Sequence, residues 1–180
     1  RQRQEVQALP RRSAFLMRLQ LLSDLHLETE TYEPEAADGA ELLVLAGDID
    51  SGWAALERFA RWPVPVVFVA GNHEFDGRDV DVATAALRAR CAELGITMLE
   101  RERLVVVDGG GRRVRIVATI RWADFDLFGP LGRAKAMRAG AYFMALMQAT
   151  RGGRPFDADA MREEALACRD WLAAELRAVG

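Results

Sequence analysis

The stretch "VVFVAGNHEF", residues 66–75, runs from an unbroken apolar series straight into Gly71, Asn72, His73 and Glu74. Val66 to Val69 show no polar face, the pattern of a strand covered on both sides in a parallel sheet. The Ala-Gly step that follows frees the backbone to turn without a Cβ clash. The chain has only two histidines, and one of them stands where this buried strand comes out.

The same grammar recurs on either side. "ELLVLAGDID" (41–50) is a second apolar run closed by Ala-Gly and followed by Asp48 and Asp50. Upstream, Met17, Leu19 and Leu21 alternate with Arg18 and Gln20, which predicts a strand with one more exposed face, and this run ends in "SDLHLE" (23–28). "WAALERFARW" (53–62) fits a short helix between the second and third strands. "DVDVATAALRARCAEL" (79–94) sets Val80, Ala83, Leu87, Cys91 and Leu94 on one helical face, with Gly95 as its stop. Strand and helix in alternation predict an α/β fold on a parallel sheet.

Further on, "ITMLE" (96–100), "LVVVDGGG" (104–111) and "RVRIVATI" (113–120) read as three more strands, with a hairpin turn at 108–111. Two helices close the chain. The Met-rich "AMRAGAYFMALMQ" (136–148) is expected to pack in the core or as a lid. The last helix carries Met161, Ala165, Cys168, Leu172 and Leu176 on one face.

Composition narrows the function classes. With 180 residues, 51% hydrophobic and 28% charged, the chain has the makings of one globular domain. A net charge of -3 gives no footprint for nucleic acid or an anionic membrane. The apolar runs are cut by charges within about a dozen residues, too short to span a bilayer. Cys91 and Cys168, each inside a helical pattern, read as small buried hydrophobes in a reducing compartment, so a cytoplasmic location is expected. "RRSAFL" (11–16) lacks the long apolar region of an export signal. Residues 1–16 are therefore expected to be an extension outside the fold, and 17–180 to be the domain.

Three successive strands thus deposit polar residues at their carboxyl ends, the edge where open α/β sheets bind ligands. Asp24 and His26, two apart in extended chain, point the same way. With Asp48 and Asn72 they make a set of oxygen and nitrogen donors without thiolate, suited to Mn, Fe or Zn. Two ions about 3.5–4 Å apart would offset the repulsion of carboxylates gathered at one edge and clamp a phosphate. Singly, Asp48 and Asn72 are also ordinary turn residues. Glu74 is expected to hold its loop and Glu28 to lie at the surface, while Trp122, Phe125 and Phe128 are either core or pocket wall.

The order D-x-H, G-D-x-x and G-N-H-E, together with "ATIRWADFDLFG" (118–129), resembles the calcineurin-like metallophosphoesterase superfamily, and within it the small bacterial phosphohydrolases. The likeness covers about residues 17–178. It implies a layered α-β-β-α sandwich in which Asp24 and His26 bind one metal, Asp48 bridges two, Asn72 binds the second, and His73 meets the phosphate or protonates the leaving group. It also implies hydrolysis of a phosphomonoester or phosphodiester in a small phosphorylated substrate. Asp50 is expected to orient His73 or approach the metals, or else to be a plain loop residue. Ser51, where related protein phosphatases carry Asp, argues against that activity.

Family members add a histidine from a later strand and a Gly-His-x-His motif, and this chain has neither. The expectation is a domain incomplete at its C-terminus, with weak metal binding and little turnover by itself. The alternatives are a non-catalytic phosphate- or nucleotide-binding module with a partial site, and a metal-dependent nuclease. The nuclease is disfavoured because no basic, aromatic-studded groove is visible.

Overall fold

The computed structural model describes residues 17–178. The expected extension at 1–16 lies outside the described residues. Strands β1 (Leu19–Leu22), β2 (Leu42–Ala46), β3 (Val66–Val69) and β4 (Thr97–Met98) lie side by side in chain order, all parallel. Leu19 pairs with Leu42, and Leu43 with Val66. Side chains alternate between faces, so Leu43, Leu45, Val66 and Phe68 enter one core while Leu42, Val44 and Val67 face another.

The first core is closed by α1 (Val80–Glu93), through Leu87 and Cys91, and by a 3₁₀ helix at Ala54–Phe59, through Leu56 and Phe59. Asp79 caps α1 by accepting from the amides of Asp81 and Val82, as N-cap aspartates do. The helix stops at Gly95, whose φ of 72° favours a residue without a Cβ. The second face is covered by an antiparallel hairpin, β5 (Glu102–Val107) and β6 (Arg113–Ala118), which brings Leu104, Ile116 and Ala118 onto it. Behind the hairpin lies α3 (Ala158–Arg177): Arg115 Nη2 donates to the Glu175 carbonyl at 3.1 Å. Helix, parallel sheet, hairpin and helix stack as the layered α-β-β-α arrangement.

The remaining helix, α2 (Gly129–Met147), buries only Met144 and Met147, while Leu131, Tyr142, Phe143 and Leu146 are exposed. Of the two expected placements, core or lid, it is not the core one. Leu19 and Leu21 are also exposed; they lie on the same face as Leu42 and Val44, but on the edge strand of the sheet. In α3 the expected face is buried at Met161, Ala165 and Cys168 but opens to solvent at Leu176.

Two elements depart from expectation. The helix at 53–62 shrinks to a 3₁₀ turn at Ala54–Phe59, entered from left-handed Trp53, φ 68°, and followed by Pro63. A small hairpin, β7 (Thr150–Arg151) with β8 (Arg154–Pro155), turns on Gly152 and Gly153, both at positive φ. Both cysteines are free and buried, and burial pushes the Cys91 thiol up to about 11. No described helix is long and apolar enough to cross a membrane.

Candidate metal centre

The candidate residues sit on loops that continue the sheet past its strands. The amides of Asp24, His26 and Leu27 donate to the carbonyls of Gly47, Asp48 and Ile49 at 3.0, 3.1 and 2.9 Å. Asp24, His26 and Asp48 all lie in the left-handed region, at φ 54°, 44° and 53°. Such backbone costs about 1–3 kcal/mol per residue and persists only where its surroundings over-determine it. Two glycines make the approach possible. A Cβ on Gly47 would stand 2.9 Å from Gly71 Cα, and one on Gly71 would collide with the Asp48 carboxylate.

Glu74 supplies the restraint. Its buried carboxylate accepts from the amides of Asp48 at 3.0 Å, Ile49 at 2.8 Å and Gly71 at 2.6 Å. One side chain thereby ties the β2 loop to the β3 loop. Burial pushes its carboxyl up, against the pull of those three amides, and the Asp48 charge adds to the rise. Glu74 holds the loop, as expected.

On this frame His26, Asp48 and His73 each present a donor atom within 4.8 Å of the others. The two imidazole rings stand edge to face, with centroids 5.0 Å apart. The His73 amide donates to Asp48 Oδ1 at 3.0 Å. Each histidine has a carboxylate on Nδ1: Glu28 Oε1 at 3.1 Å from His26, and Asp76 Oδ2 at 2.8 Å from His73. That leaves Nε2 of each ring free, the arrangement by which outer carboxylates orient metal-binding or catalytic imidazoles. Burial lowers the His73 pKa, but the hydrogen bond and charge of Asp76, with the charges of Asp48 and Glu28, outweigh it and the net shift is upward. Burial likewise raises Glu28, and hydrogen bonds involving its backbone, His26 and Ser51 turn the net shift downward.

The other expected residues fall differently. Asp50 is not the partner of His73: its Oδ1 accepts from the Gly52 amide at 2.7 Å and its Oδ2 from the Ala55 amide at 2.6 Å, so both oxygens are spent on the turn that starts the 3₁₀ helix. Asp24 is exposed, accepts from the Ser23 hydroxyl and stands outside the histidine–aspartate cluster. Asn72 caps the His73–Phe75 turn without a side-chain hydrogen bond. Asp76 was missed, yet "HEFD" (73–76) held the signal: in a 3₁₀ turn residues i and i+3 eclipse, which stacks Asp76 over His73. A second cluster, Glu100, Glu164 and Cys168, is engaged by the protein itself. The Ile120 amide donates to Glu100 at 2.7 Å, and Arg101 and Arg151 pair with Glu164.

Two cavities flank the site. One of about 530 Å³ opens between Asp48, Gly71 and Asn72 and the β6 exit at Thr119 and Trp122. The other, about 460 Å³, lies between Asn72, His73 and Asp76 and helix α2. Trp122 belongs mainly to the core, 5% exposed and packed against Phe75 and Phe156. Phe125 lines the second cavity, and Phe128 faces solvent.

Residues 17–158 match the family model of the calcineurin-like phosphoesterases. The chain belongs to this family. A solved phosphopantetheinyl hydrolase from Mycobacterium tuberculosis shares the phosphoesterase fold: the match has a TM-score of 0.60 and 23% identity over 91% of this chain. This chain spans 64% of that protein's length. No curated protein matches the sequence. In such a phosphoesterase a metal is expected at the carboxyl edge, and the His26 imidazole with the Asp48 carboxylate, nitrogen and oxygen donors without thiolate, fits a divalent ion such as Mn, Fe or Zn.

Proposed function

We propose that the protein is a metal-dependent phosphoesterase acting on a phosphomonoester or phosphodiester of a small molecule. The observation that carries this reading is the convergence of His26, Asp48 and His73 within 4.8 Å on a strained, glycine-permitted edge of a phosphoesterase fold. Of the chain's own residues, His26 and Asp48 would hold divalent metal, with Asp24 and Asn72, on the adjoining strand exits, as the further ligands. Bound there, the ions would neutralise phosphoryl oxygens and lower the pKa of an attacking water.

The chain's own residues do the rest. Glu74 fixes the Asp48 backbone. Glu28 holds His26 through Nδ1. Asp76 holds His73 through Nδ1, so that Nε2 carries the proton delivered to the leaving oxygen. We assign Asp76, rather than Asp50, as the positioning residue. Because His26 and His73 are the only imidazoles in these 180 residues, we further propose that the chain by itself binds metal weakly and turns over little. Two free, buried cysteines support a cytoplasmic location.

The test is hydrolysis of an aryl phosphate monoester and diester by the full gene product, before and after chelation. Activity lost to chelator and restored by Mn supports the reading. Hydrolysis of neither ester at any metal concentration contradicts it and favours a phosphate-binding module.

A further inference from the structure

The reading above leaves the 460 Å³ cavity beside His73 without a role, and its walls are of an unusual kind. Asn72, His73 and Asp76 line one end; the rest is apolar, with Phe125, Phe143, Met144, Leu146, Met147 and Met161 prominent, and no Lys or Arg lines it. The volume falls in the range of small-molecule pockets. We propose that this cavity is a leaving-group pocket that selects phosphate esters whose ester group is uncharged and apolar, aryl or alkyl; the inference rests on the phosphoesterase reading of the adjoining site.

Three observations carry it. First, the wall is built. Phe125 holds a left-handed backbone, φ 60°, which costs a bulky residue free energy. Its ring lies so close to α2 that a Cβ on Gly140 would stand 2.5 Å from Cε1. Asp126 next to it is clamped by Arg133 of α2 and by Arg162 of α3, and Arg162 also donates to the Asp124 carbonyl at 2.8 Å. Polar bonds thus hold an aromatic ring against a glycine at the cavity wall.

Second, the cavity gives the exposed residues of α2 an occupant. Phe143 and Leu146, 66% and 62% exposed, line it beside the buried Met144 and Met147. Methionines repack easily and suit a pocket that accepts more than one apolar shape. Third, its polar end is the catalytic end. A group in this cavity reaches back to His73, the proposed proton donor to the leaving oxygen. A further phosphate or carboxylate on that group would point into the apolar part of the cavity, where no lysine or arginine meets it, so nucleoside polyphosphates and sugar bisphosphates are disfavoured.

The methionine methyls report on this directly. With 13C-methyl methionine in the 180-residue chain, titration with 1-naphthol, the free leaving group, should shift the Met144, Met147 and Met161 signals saturably, with Met17 and Met98 as fixed references. Leu146→Asp, at an exposed position that should tolerate it, should remove the saturable shift. In the full gene product the same substitution should lower the ratio of kcat/KM for 1-naphthyl phosphate over methyl phosphate about 10-fold, the scale of lost apolar contact in a pocket. Gly140→Ala, which displaces Phe125, should lower the ratio in the same direction. Absent or scattered methyl shifts, or a ratio unchanged by both substitutions, would overturn the pocket. If naphthol binds as described while neither ester is hydrolysed, the phosphoesterase reading fails and the apolar site stands.

Discussion

The edge where β1, β2 and β3 end meets the wall formed by α2 at the β3 loop, across one cavity, and edge and wall are built in opposite ways. At the edge, three non-glycine residues are held at positive φ, two glycines interlock, and one buried glutamate accepts from three amides. On the wall, most large side chains of α2 are exposed and a single aspartate between two arginines provides the polar clamp. A strained, over-determined edge suits a reaction that tolerates little misplacement. A loosely packed, methionine-lined wall suits recognition that adapts.

Substitutions should separate the two. His73→Ala in the full gene product should cost about 10²–10⁴ in rate, the scale of general acid catalysis, with bound metal retained and a smaller loss for an ester with a good leaving group. Asp76→Asn should cost about 10–100-fold, as outer partners of such histidines do. Equal losses for good and poor leaving groups would assign His73 to phosphate positioning instead.

Stability should divide in the same way. Glu74→Ala leaves three amides without their acceptor, so urea melts should show a loss of at least about 3 kcal/mol at about 1 kcal/mol or more for each unmet group. On the wall, Leu131→Gln and Tyr142→Ser should stay within about 0.5 kcal/mol, as solvent-facing changes do. A Glu74→Ala loss no larger than the wall's would remove the distinction.

The smallest effect concerns the clamp. The hydrogen bond from Arg133, opposed by burial and joined by the charges of Arg133 and Arg162, holds Asp126 below its ordinary value. A depressed carboxylate contributes stability above its unfolded pKa and loses it as pH falls through the folded one. The Tm difference between the wild type and Asp126→Asn should therefore be present at pH 7, shrink below about pH 4, near the unperturbed carboxylate value, and vanish at lower pH. A difference that grows on acidification would reverse the assignment.

Much of the edge was legible in the sequence because its signals are local: apolar runs, Ala-Gly exits, and polar residues at fixed offsets behind them. The parallel sheet, α1, the β5–β6 hairpin and the loop role of Glu74 followed from those signals. What escaped depended on geometry finer than periodicity. Asp50 and Asp76 are both short acids just past a strand exit, and only the turn types decide that Asp50 caps backbone while Asp76 stacks on the imidazole. The Gly152–Gly153 hairpin was a readable turn signal left unused. Helix α2 was left open between core and lid for a different reason: its apolar residues match either, and composition alone cannot say that several of them face a cavity.

The central claim is that the β-strand edge is a metal site organised around Asp48. Calorimetric titration of the 180-residue chain with Mn, run in parallel on Asp48→Asn with circular dichroism to verify folding, tests it most directly. The account predicts saturable binding by the wild type, weakened at least about 10-fold by Asp48→Asn without change in secondary structure. Identical binding by the two folded proteins, or none by the wild type, would contradict it.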